Sequence, residues 1–66
     1  MMLRVKELRE KAGMSQSELS RRAGVTRATI WKLETRDDEI TTTKTLERLA
    51  SALRVPVRDL FFRNAV

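Results

Sequence analysis

Ser15-Gln16-Ser17-Glu18-Leu19-Ser20-Arg21-Arg22-Ala23-Gly24-Val25-Thr26-Arg27-Ala28-Thr29-Ile30-Trp31-Lys32-Leu33-Glu34 is the stretch that decides the fold. Ser15 and Glu18 form a Ser-x-x-Glu pattern, in which hydroxyl and carboxylate satisfy free amides at a helix start. Met14, just before it, is placed to pack towards Leu19 as a staple. Leu19 and Ala23 fall at i and i+4 on one face. The spacing therefore predicts a helix from Gln16 to Arg22 or Ala23. Gly24 follows at once and permits the positive φ of a sharp turn. Thr26 is a cap residue, and a second helix is predicted over Arg27–Glu34. Ile30 and Leu33 face inward, and Val25 packs at the turn. Thr26, Arg27, Ala28, Thr29, Trp31 and Lys32 are left on or near the outer face.

Two short helices joined so tightly, with small residues at the crossing, make a helix-turn-helix over residues 15–34. Small and polar residues on the outer first turn of the second helix suit entry into a groove about 12 Å wide. The same pattern also fits an ordinary helical hairpin in a small bundle. Outside this core, Val5, Leu8 and Ala12 fall at i, i+3 and i+7, predicting a first helix over Leu3–Ala12 that Gly13 stops. Leu46, Leu49, Ala50 and Leu53 give the cleanest amphipathic pattern, predicting a fourth helix from near Thr43 to Leu53. Pro56 is tolerated at the start of a last short helix, Val57 to Phe62. No stretch alternates with period two for long, so no strand is expected. The expected class is all-α, one domain over residues 1–66.

The chain carries 14 Lys+Arg against 9 Asp+Glu, a formal net charge of +5. Ten of those cations are Arg, whose planar fork suits phosphates and guanine edges better than Lys does. A pI near 10.8 favours a polyanionic partner, although a solvated surface alone has the same composition. There is no Cys and no His, which excludes disulfides and zinc fingers, and no metal site is expected. No cofactor and no small-molecule ligand are expected, since the length leaves no room for a separate ligand domain. No run of apolar residues is long enough to span a membrane. The charged N-terminus is not a signal peptide, so a cytoplasmic location is expected. An enzyme is not expected, for want of His, Cys or paired carboxylates on a pocket scaffold. The competing class is a small helical protein-interaction module, such as an antitoxin or partner-binding domain without a DNA role.

Several stretches share one order and spacing: Leu8-Arg9-Glu10-Lys11-Ala12-Gly13-Met14-Ser15-Gln16, Glu18-Leu19, Ala23-Gly24-Val25-Thr26, and Thr29-Ile30-Trp31-Lys32-Leu33-Glu34. Thr45-Leu46, Leu49-Ala50, Leu53, Val55 and Asp59-Leu60-Phe61 continue them. Together, over Leu3–Phe61, they resemble the Cro/repressor-type (XRE) helix-turn-helix family of bacteria and phages. The resemblance implies a five-helix, lambda-repressor-like domain that binds double-stranded DNA and regulates transcription. It places Thr26, Arg27, Ala28 and Lys32 where the family reads base edges. Gln16, Thr29, Arg36 and Lys44 are the phosphate candidates, with Thr29 and Lys32 able to serve either target. Arg27 can pair with guanine O6 and N7 together, or hold a phosphate without reading sequence. Ala28 offers only a methyl, suited to a thymine methyl. Gln16 holds a phosphate, orients a partner on the next helix, or simply begins its own helix. Arg9 and Glu34 match a pair that joins the first and third helices, the alternative being two independent surface charges. Trp31 either packs on a sugar-phosphate edge or covers the domain's own surface.

Three departures stand out. The loop after the third helix usually carries Asn-Gly and then basic residues, but here reads Thr35-Arg36-Asp37-Asp38-Glu39. Acids there repel phosphates unless they point away or favour the positive end of the fourth helix. Arg54 stands where Gly or Asn often ends that helix. Thr43 replaces a common apolar residue, so a looser start to the helix is expected. Val55, Val57, Leu60, Phe61 and Phe62 form a dense apolar cluster, more than so small a body can hide. Phe61 is expected in the core by its match to the family's Leu-Phe ending. Val57, Leu60 and Phe62 are the expected homodimer interface, pairing two copies on a palindromic site. The alternative is that the cluster only closes the core. Repressor, restriction-modification controller, antitoxin and mobile-element regulator all remain open as biological roles.

Overall fold

The computed structural model describes residues 3–36 and 41–61. Four α-helices follow one another: α1 (Val5–Lys11), α2 (Gln16–Ala23), α3 (Arg27–Thr35) and α4 (Thr43–Leu53). A 3-10 turn, Val57–Leu60, is the last element among the described residues. The fold is all-helical, and the fifth helix expected over Val57–Phe62 is a single 3-10 turn. Phe62 lies outside the described residues.

Each element supplies one fully buried side chain to a shared core: Val5, Leu19, Ile30, Leu49 and Leu60. Leu3, Ala23, Val25, Leu33, Leu46, Ala50 and Leu53 complete it. Leu8, Met14, Val55, Val57 and Phe61 pack half-buried against its edge. Leu60 was expected at a dimer interface and is instead enclosed, with 0% of its surface exposed. The 3-10 turn packs against α4, and that packing encloses Leu60 in the core. Ala12, expected inward, is exposed, because α1 ends before it and Gly13, at φ 71°, turns the chain.

The two ends of the domain are tied together. Leu3 forms an isolated antiparallel bridge with Phe61, and the Arg4 amide donates to the Leu60 carbonyl. These bonds occupy the backbone of residues 3 and 4, so α1 starts at Val5 rather than Leu3. The Arg4 guanidinium forks onto Glu7 at 3.1 and 3.2 Å. That hydrogen bond is the largest cause holding the Glu7 carboxyl below its ordinary value.

The helix starts follow the expected chemistry. Ser15 Oγ accepts from the Glu18 amide at 3.0 Å. The Glu18 carboxylate, however, accepts from Arg22 at 2.7 Å, one turn along, in place of the reciprocal half of a capping box. Thr42 starts α4 by accepting from the Thr45 amide at 3.1 Å, so Thr43 begins a firmly capped helix rather than a loose one. α4 ends at Arg54, the one described non-glycine residue with positive φ, at 59°. Among the described residues no helix is long and apolar enough to cross a membrane.

Candidate nucleic-acid interface

The turn between α2 and α3 sets the angle at which α3 is presented. Gly24, at φ 68°, ends α2 in the left-handed region, which an L side chain enters only at a cost. The Ser20 carbonyl accepts from both the Gly24 and Val25 amides, at 3.0 and 3.3 Å. The Ser20 hydroxyl donates to the Val25 carbonyl at 2.6 Å. One residue therefore clamps both sides of the turn. Sequence reading missed Ser20; its signal was a polar residue four positions before a turn glycine.

Thr26 then caps α3, accepting from the Thr29 amide at 3.2 Å. Its hydroxyl donates to Thr29 Oγ1 at 2.9 Å, which leaves the Thr29 hydroxyl proton to offer to an acceptor. Arg27, Ala28 and Lys32 are exposed, and Thr29 is half-buried. Neither Arg27 nor Lys32 has an ion-pair partner among the described residues. Ile30 and Leu33 face the core. The sole acid within α3 is Glu34, whose side chain is 2% exposed. The outer surface of the helix is thus cationic or neutral throughout.

Glu34 is where the scaffold grips this helix from behind. Arg9 Nε donates to one carboxylate oxygen at 2.8 Å, and Arg9 Nη2 donates to the other at 3.1 Å. Gln16 Nε2 donates to that second oxygen at 3.0 Å. Arg9 Nη1 also donates to the Met14 carbonyl at 2.8 Å. One guanidinium thus joins α1, the approach to α2 and the end of α3. Hydrogen bonding to Glu34 raises the Arg9 pKa, against the opposing effect of burial. The pair is a built bridge, not two independent surface charges. Gln16 donates across to its partner on α3 through one amide proton. No buried side-chain nitrogen or oxygen among the described residues lacks a partner.

Arg36 caps the end of α3 and Lys44 lies in the first turn of α4, both exposed. They flank residues 37–40, so the acids Asp37, Asp38 and Glu39 lie outside the described residues. Trp31 leaves about half of its surface open to solvent. It is 52% exposed, the exposed large hydrophobic residue of the chain as described. Among the described residues no cluster of acids gathers in a way that could hold a metal ion.

Comparison with known proteins agrees with this geometry. The model of a family described as Helix-turn-helix matches residues 5–60. The restriction-modification controller protein C.AhdI from Aeromonas hydrophila is similar in structure, with a TM-score of 0.80 and 33% identity. That match covers 88% of this chain and 86% of the controller. The master regulator for biofilm formation SinR, solved in complex with DNA, matches with a TM-score of 0.78 and 31% identity. It covers 83% of this chain and 87% of SinR. No curated protein sequence matches.

Proposed function

The chain belongs to the XRE-type helix-turn-helix family of DNA-binding transcriptional regulators, and from that premise we propose that it represses transcription, or autoregulates, by binding a palindromic operator as a homodimer. As a DNA-binding regulator it meets its partner through α3. The observation that carries the proposal is the outer face of that helix. It exposes Thr26, Arg27, Ala28 and Lys32, carries no exposed acid, and is fixed from behind by Arg9, Gln16 and Glu34. In this reading Arg27 pairs with a guanine, and Thr26, Ala28 and Lys32 contact neighbouring base edges. Gln16, Thr29, Arg36 and Lys44 hold phosphates that fix register. The SinR complex with DNA and the controller role of C.AhdI support both the partner and the regulatory role.

Selection from a pool of random duplexes tests the reading. It should enrich a two-fold symmetric sequence, and affinity for that sequence should fall steeply as salt rises, since each phosphate contact releases counterions. A promoter carrying the site should lose expression when the protein is supplied. No enrichment together with a flat salt dependence would overturn DNA binding. An enriched site with no dyad symmetry would overturn the dimer alone.

A further inference from the structure

We propose that Trp31 determines specificity, laying its indole against the methyl-bearing edge of a thymine in the major groove rather than on the sugar-phosphate backbone. The inference rests on the DNA-binding reading above and goes further, because it assigns base reading to Trp31, a residue to which that reading gives no role. A helix advances about 100° per residue. Ile30 and Leu33 are buried and define the inner side of α3, so Ala28, Trp31 and Thr35 share the strip opposite to them. All three are exposed. Arg27 and Lys32 lie on the two flanks of this strip.

The central strip is almost wholly apolar in what it can offer. Ala28 has only a methyl. Thr35 turns its hydroxyl back to the Trp31 carbonyl at 2.8 Å, which leaves its methyl as the free group. Trp31 contributes the indole, 52% exposed. Exposing so much aromatic surface on a small domain is unfavourable unless something covers it. The cations at both flanks, with no exposed acid on the helix, favour duplex DNA as the cover. A strip on the midline of a groove-entering helix faces base edges directly, and the long Arg27 and Lys32 side chains on its flanks reach them from either side. The thymine C5-methyl is the apolar group that base edges present in the major groove.

The test uses the enriched operator and the sole tryptophan of the chain. Each thymine is replaced in turn by deoxyuridine, which deletes one methyl and leaves every hydrogen-bonding group in place. At one position per half-site the wild-type protein should lose about four-fold in affinity, the worth of one buried methyl group. Trp31→Ala, at an exposed position, should bind both duplexes equally there while keeping its helical circular dichroism. Indole emission should fall on binding the thymine operator, and fall less with the deoxyuridine one. Uniform indifference of the wild type to every uracil would overturn the proposal without touching DNA binding, and that arm needs no variant. A uracil effect that persists in Trp31→Ala would assign the methyl contact to another residue such as Ala28, and would equally overturn it. Absence of any sequence-selective binding would sink the function reading itself, and this inference with it.

Discussion

Arg27 and Arg54 are both exposed arginines, and their backbones give them opposite consequences on substitution. Arg27 opens α3 in ordinary helical geometry with no ion-pair partner among the described residues, so its removal should cost the fold little. Arg27→Ala should instead cost roughly 1–3 kcal/mol of binding on the selected operator and relax preference at one base pair. Equilibrium binding to a set of single-base variants checks this. An equal loss on all sequences would make Arg27 a phosphate contact only. Arg54 sits at φ 59° and ψ 43° at the end of α4, a region that costs a side chain roughly 1–2 kcal/mol. Arg54→Gly should therefore raise stability by about 1 kcal/mol, net of the extra freedom glycine gives the unfolded chain. In a domain of this size that shifts Tm by roughly 4–8 °C. Gly24→Ala is the mirror experiment. Its added Cβ would meet nothing within 4 Å, so the loss of about 1 kcal/mol expected there is backbone strain, with no clash to add. Thermal unfolding of both variants decides; a neutral Gly24→Ala would mean that the turn has another conformation open to it.

At the scale of elements, α3 is held by charge as well as by packing. Burying the Glu34 carboxylate is tolerable because three N–H groups satisfy it. Removing Arg9 leaves that carboxylate underpaired, a loss of about 3–5 kcal/mol. The whole stability of a chain this long is roughly 3–10 kcal/mol, so Arg9→Ala should be partly unfolded at ambient temperature. Glu34→Leu combined with Arg9→Met should recover much of that loss, because a matched apolar pair replaces a matched ionic one. A double-mutant cycle by denaturant unfolding would read the coupling, and a value near zero would mean that Arg9 acts only through the Met14 carbonyl. The recovered double variant should still bind operator more weakly, since α3 would have lost the contact that fixes its angle. Much of this arrangement was legible in the sequence. Ser15, Gly24 and Thr26 punctuate α2 and α3 because caps and left-handed turns have few chemical solutions. The spacing of Leu19, Ile30 and Leu33 gives their inner faces. Leu60 was misplaced because an excess of apolar residues over positions 55–62 says that some must face outward without ranking which of them does. The Ser20 clamp and the choice of Arg22 by Glu18 were hidden for another reason. They depend on which of several nearby partners a short polar side chain reaches, and spacing alone does not rank those partners.

For the whole molecule, the question is how so small a reader finds one site among many. One recognition helix contacts a few base pairs, and specificity on that scale is swamped by the competing sites of a genome. Two such helices on a two-fold axis, about 34 Å apart, enter successive major grooves on one face of the duplex and multiply their discrimination. In the proposed homodimer the apolar surface for such pairing is the C-terminal end. There Leu60 closes the core, and Val57 and Phe61 are only half-covered. Phe62 follows directly in sequence. With Leu60 committed inward, the expected pairing surface falls to Val57 and Phe62, and Phe62 is the residue on which the proposal is tested. Phe62→Glu should therefore weaken cooperative binding to the full palindrome by about ten-fold or more, the effect of losing a buried aromatic contact worth at least ~1.4 kcal/mol. Binding to an isolated half-site should change little, because each monomer keeps its α3 and its cations. Gel-shift titrations on full and half operators, read beside sedimentation of the complex, separate the two quantities. Equal cooperativity in wild type and Phe62→Glu would move the interface away from this end. Equal losses on half and full sites would mean that the substitution had damaged the reader rather than the pairing. A net charge of +5 on each chain opposes association in free solution, and neutralisation by the operator phosphates removes that opposition. Pairing should therefore be weak without DNA, complete on it, and strengthened in free solution by added salt, while added salt weakens the hold on DNA.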